Sequence, residues 1–76
     1  MIGEWYSNDL RKLVIIERDN NGIKARLSGS KKWTAYRPGS RGYFVDNKGN
    51  VYFLETKDKL IWEDRSGKNR YILSRS

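Results

Sequence analysis

A chain of 76 residues with a formal net charge of +7 is one small domain, residues 1–76, with a modest core. It has neither Cys nor His. That excludes disulfides, removes the usual metal ligands, and takes away the commonest catalytic base and the most reactive nucleophile. The longest apolar run, Leu13-Val14-Ile15-Ile16, is far short of the ~20 residues a membrane-crossing helix needs.

The fold must rest on three Trp, five Tyr, two Phe and the branched aliphatics. In chain order, Glu4-Trp5-Tyr6 reads as a short first strand. Ser7-Asn8-Asp9 breaks it from a longer strand that begins near Arg11, with room for one helical turn between Ser7 and Lys12. Three breaks then share the form Asp-x-x-Gly: Asp19-Asn20-Asn21-Gly22, Asp46-Asn47-Lys48-Gly49 and Asp64-Arg65-Ser66-Gly67. Asp accepts backbone N–H bonds at the start of a type I turn, and Gly closes it in the left-handed region. Each break is flanked by β-branched and aromatic residues, which predicts three β-hairpins.

Between the hairpins, Ser28-Gly29-Ser30 precedes a strand over Lys32 to Arg37. The segment from Pro38 to Gly42 is a loop leading to Tyr43, and Thr56 to Lys59 is a tight connection. Ile23, Ala25 and Leu27 alternate with Lys24 and Arg26, so one face of that strand is apolar and the other cationic. In the second hairpin, Val51 and Phe53 oppose Tyr52 and Leu54, and both faces are apolar. The expectation is all-β: seven to eight short antiparallel strands in a meander, rolled into a compact barrel or sandwich that removes exposed edges.

Gly3-Glu4-Trp5 followed by Asn8-Asp9-Leu10 resembles the opening of calycin-type barrels, the lipocalin and avidin group. The resemblance implies a Gly-x-Trp at the start of the first strand. It also implies an arginine near the end of the last strand, Arg70 or Arg75 here, packed across Trp5. Calycins are considerably longer and enclose a ligand, and their ligand-contacting residues have no matching positions in this chain. Strands this short predict a miniature barrel filled by its own side chains.

No constellation of catalytic residues emerges. Glu63-Asp64 is the one adjacent carboxylate pair, and neighbours on a strand point to opposite faces. Asp46 to Asn50 is loosely like a calcium loop, but Lys48 stands where an oxygen ligand is needed. A non-enzyme without metal or cofactor is expected, and the compartment stays open.

Charge is more informative. Residues 20–45 hold no Asp or Glu and six basic side chains: Lys24, Arg26, Lys31, Lys32, Arg37 and Arg41. Trp33, Tyr36 and Tyr43 are interleaved with them. Cations neutralise phosphates and rings stack on bases, so a nucleic-acid or other polyanion site is expected at Lys24, Arg26, Lys31, Lys32, Arg37, Arg41, Tyr36 and Tyr43. The same residues have a purely structural reading. A small core draws its tryptophans inward, Trp5, Trp33 and Trp62 alike, and lysines on a strand surface guard edges. The two-sided apolar hairpin from Tyr43 to Glu55 suits instead a protein-interaction or structural module, exported or not, that meets a protein partner or self-associates. A calycin-like small-ligand pocket is the third possibility.

Overall fold

The computed structural model describes residues 1–76. Eight antiparallel strands follow one another in chain order and close into a barrel. They are β1 (Gly3–Ser7), β2 (Lys12–Asp19), β3 (Gly22–Leu27), β4 (Thr34–Pro38), β5 (Phe44–Val45), β6 (Val51–Thr56), β7 (Lys59–Glu63) and β8 (Arg70–Arg75). Pairing of β1 with β8 completes the circle. A meander of short hairpins is the low-cost route to this closure, because every strand pairs with its sequence neighbour.

Register places the inward side chains in lines across the sheet. Trp5, Val14 and Leu27 stand opposite one another on β1, β2 and β3. Tyr52, Trp62 and Tyr71 do so on β6, β7 and β8, as do Leu60 and Leu73 on β7 and β8. Trp5, Val14, Ile16, Ile23, Ala25, Tyr36, Tyr52, Leu60 and Leu73 form one buried cluster. The alternation read along β3 holds, since Ile23 and Ala25 are in that cluster while Lys24 and Arg26 face outward.

Both chain ends lie at one end of the barrel, and Trp5 seals that end. Its ring is fully buried, and the Arg75 guanidinium lies 4.2 Å from the ring centroid. The Trp5 indole N–H donates to the Met1 carbonyl at 2.8 Å, and Arg75 donates to the Ile2 carbonyl at 2.9 Å. Of the two arginines that the calycin resemblance offers, Arg75 therefore covers the tryptophan. Gly3 lets it do so: a Cβ there would press on the Arg75 guanidinium. Burial, with the nearby Arg75 charge second, holds the Met1 amine below its usual range.

Two of the three Asp-x-x-Gly breaks are the turns their chemistry predicts. Gly49 and Gly67 have φ of 88° and 75°, and their N–H groups bond back to the Asp46 and Asp64 carbonyls. The Asp46 carboxylate accepts from the N–H groups of Lys48 and Asn50 and from the Asn50 side chain. Hydrogen bonds from Ser66 and Asn69 hold the exposed Asp64 carboxyl below its usual range. The first break is different. Asn20, with φ of 53°, takes the left-handed position in a two-residue turn, and Gly22 is already strand. Glycine is needed at 22 for space, because a Cβ would collide with the Tyr36 carbonyl.

Other expectations shift by a residue or two. Pro38 ends β4 rather than lying in a loop, and β4 starts at Thr34 rather than Lys32. The segment between β1 and β2 is a turn, with the buried Ser7 hydroxyl accepting from the Leu10 N–H. A three-residue 3-10 turn at Ser40–Gly42 is the one helical element.

The two-sided apolar character of the second hairpin extends to its neighbours. Phe53, Ile61 and Ile72 make a row on the outer face, and Tyr43 stacks on Phe53 with centroids 4.5 Å apart. Ile61 is outward yet fully covered. The Arg70–Glu55 ion pair joins the strands on either side of β7 and so passes above it.

Trp5→Ala should cost about 3–5 kcal/mol, as expected for emptying a large core site. Arg75→Ala should cost about 1–2 kcal/mol, the sum of one cation–π contact and one hydrogen bond. Urea denaturation of both variants measures the difference, and equal losses would contradict the assigned roles.

Candidate binding surface

The weak link in the barrel wall lies between β4 and β6. The intervening β5 has two residues, which pair as Arg37 with Val45 and Pro38 with Phe44. Upstream of that stitch, β4 pairs only with β3, through Thr34, Ala35 and Tyr36. Alternation along β4 directs the Ala35 backbone groups away from β3, toward a space that no strand fills. A groove of about 800 Å³ occupies it. Trp33, Lys32 and Arg37 contribute from the β4 side, Asn47, Lys48 and Asn50 from the β5–β6 turn, and Trp62 and Tyr36 form part of its lining. The β2–β3 turn, Asp19 to Gly22, lies at the far end.

A second hollow opens at the barrel end opposite Trp5. It measures about 340 Å³ and is lined mainly by apolar and aromatic residues, with Leu10 and Leu27 near the mouth and Tyr52 and Leu73 deeper. Tyr71 stacks on Trp62 at 5.1 Å, and Arg26 and Lys32 complete the lining. Lys32, Thr34, Tyr36 and Trp62 line both the cup and the groove, so the two are contiguous.

The candidate cations divide into groups. Lys24 and Arg26 project from the outer face of β3, with Lys24 Nζ 4.6 Å and Arg26 Cζ 5.1 Å from the centre of the Trp33 ring. Arg26 also donates to the Ser30 carbonyl at 3.1 Å, which ties it to the loop that carries Lys31 and Lys32. Lys24 faces Glu17 at 4.0 Å, a loose surface pair of little energetic weight. Arg37 lies further along β4 on the same side of the groove and donates across it to Asn47 at 3.1 Å. Arg41 is the outlier: it sits in the β4–β5 connection, beside a different hollow near the chain ends.

The aromatics need two corrections and one relocation. Tyr36 is buried, edge-on against Tyr52 at 4.9 Å, and its hydroxyl accepts from the Trp62 indole at 3.2 Å. It belongs to the core and offers no stacking face. Trp33 is the reverse case, half-buried outside the core cluster. It follows the loop onto the outer face of β3, where cations attract it. Tyr43 is partly exposed, but it lies with Phe53 and Arg41 at the opposite end. Lys48, absent from the sequence-based set, joins the groove because its turn folds back toward β4.

No family model, curated protein or solved structure matches the chain.

Burial pushes the Tyr36 hydroxyl up to about 12, with the Trp62 hydrogen bond opposing and the Asp46 charge reinforcing. Burial, then Tyr36 itself, raises Tyr52 as well. Both shifts favour the neutral phenol in the folded state. The associated stability is intact below the ordinary tyrosine value of 10.0 and is lost as pH climbs through about 12. An alkaline titration followed by tyrosinate absorbance and circular dichroism should show Tyr36 ionising only as the fold is lost. Ionisation of every tyrosine near pH 10 with the barrel intact would contradict this packing.

Proposed function

We propose that the domain is a non-catalytic binding module for polyanions, single-stranded nucleic acid foremost, acting through the β3–β4 face and the groove beside it. The observation that carries the reading is the gathering of Lys24, Arg26 and Lys32 around a half-buried Trp33 at the edge of a groove that also holds Arg37 and Lys48. Single strands are bound by a cationic track for phosphates and by rings for bases. Carboxylates are few on this face: Glu17 makes only a loose surface pair with Lys24, Asp46 is buried and occupied by its own turn, and Asp19 sits at the groove's far end. A flexible strand tolerates the curvature of the barrel better than a duplex does. The calycin likeness supports the Trp5–Arg75 seal at the closed end, and no ligand is carried over from it.

Affinity for a single-stranded oligonucleotide should fall steeply with salt. Changing Lys24, Arg26 and Lys32 together to Ala should flatten the log–log slope by about 2, at about 0.7 per phosphate contact. Trp33→Ala should weaken binding by about 1–3 kcal/mol, the usual worth of one stacking ring, and leave thermal stability nearly unchanged. Absence of binding to DNA or RNA at low salt would end this reading.

A protein-interaction reading is favoured by one separate observation. Ile2, Tyr43 and Leu54 are each more than a third exposed and line one depression of about 480 Å³ near the chain ends, with Arg18 and Arg41 beside it. Grouped apolar exposure of this kind marks contact surfaces. Self-association that survives high salt and disappears in a Tyr43→Lys, Leu54→Lys variant would support that use; a monomer by sedimentation at every salt concentration would count against association with a second copy.

A further inference from the structure

The cup at the open end of the barrel has no part in the phosphate track, yet its position relative to that track is specific. Lys32 and Thr34 stand on the lining of both, and Arg26 lines the cup while it reaches across to Trp33. A polyanion held on the β3–β4 face therefore passes beside an aromatic hollow. The hollow has room for a heterocycle, and its 340 Å³ falls at the lower end of the range for small-molecule sites.

The chemistry of the lining suits a base better than a plain hydrocarbon. Trp62 and Tyr71 present a stacked pair of rings, and Ser30 and Thr34 add polar side chains to a lining that, apart from Arg26 and Lys32, is apolar and aromatic. An apolar floor with a few polar groups and a cationic rim fits a planar ring that carries edge donors and acceptors and is tethered to phosphate. Taking one base out of the stack costs least when the strand is already single.

We infer that the barrel mouth is a nucleobase pocket: one base of the bound strand enters the cup, while its flanking phosphates lie against Arg26 and Lys32. This rests on the polyanion reading given above and adds a second base-dependent part of the affinity to the stacking on Trp33. The phosphate track then fixes the strand, and the cup selects for the presence of a base beside Thr34.

The test compares a labelled pyrimidine oligonucleotide with an abasic strand of the same length at matched salt, using fluorescence anisotropy. Leu10→Trp and Thr34→Phe both fill the cup from exposed positions, and thermal unfolding checks that each folds. The native protein is expected to bind the base-bearing strand at least tenfold more tightly than the abasic one. Each filled variant should narrow that gap severalfold, keep the part that stacking on Trp33 supplies, and bind the abasic strand as the native protein does. A Trp33→Ala variant serves as the contrast: a gap left unchanged by filling of the cup and abolished in Trp33→Ala places every base contact on Trp33 and overturns the pocket. Equal binding of the two strands by the native protein overturns the pocket together with stacking on Trp33, and leaves only the phosphate track of the polyanion reading standing. Failure of both strands to bind at low salt removes the underlying reading along with the pocket.

Discussion

Closure of this sheet depends on a two-residue stitch. Seven of the eight strands are five to eight residues long, and β5 is Phe44–Val45 alone. Those two residues connect β4 to β6 and turn an open meander into a barrel. A full-length β5 would have continued along β4 to Thr34 and sealed the wall. With only two residues the chain turns away at Asp46, whose carboxylate gathers the Lys48 and Asn50 N–H groups into a turn. The groove and its access to Trp62 and Tyr36 follow from that turn. The part of the wall with the least strand pairing is thus the part that displays chemistry.

Much of the architecture was legible in the residues. Asp and Gly at the right separation made the turns at 46–49 and 64–67 readable, because the carboxylate and the left-handed backbone are local requirements. Alternation along β3 correctly sorted Ile23 and Ala25 from Lys24 and Arg26 for the same reason. Gly22 shows where local reading stops. Its motif is the same as the other two, yet what demands glycine there is a carbonyl fourteen residues later in the chain. No pattern within the hairpin reports that approach.

The candidate site was less readable, and the reasons are physical. Whether an aromatic residue in a loop or short strand goes inward depends on the length of the connection before it. Trp33 and Tyr36 are both interleaved with cations, and they stand three positions apart. The three-residue spacing places them on opposite faces of an extended chain, so one is a surface ring beside Lys24 and Arg26 and the other a core ring against Tyr52. The sequence offered that parity, but using it required knowing where β4 starts. Arg41 strayed from the other cations because the β4–β5 connection lies at the opposite end of the barrel from the β3–β4 loop. In an up-and-down meander, successive connections alternate ends, so a charge-dense stretch that spans two of them is necessarily divided.

Size explains why binding surfaces arise at an end and a seam rather than in a central chamber. Eight short strands enclose space for one layer of large side chains, and Trp5, Leu60 and Leu73 consume it around the sealed end. At the other end, Tyr36, Tyr52 and Trp62 act as roof of the core and floor of the cup at once. Any substitution that deepens the cup removes packing from a core with few residues to spare. Changes at the rim, on Leu10, Thr34 or Lys32, leave the core untouched, because these side chains are exposed. Variation in what such a domain recognises is therefore confined to its rim and its seam, while the ring cluster beneath must stay nearly constant for the barrel to close.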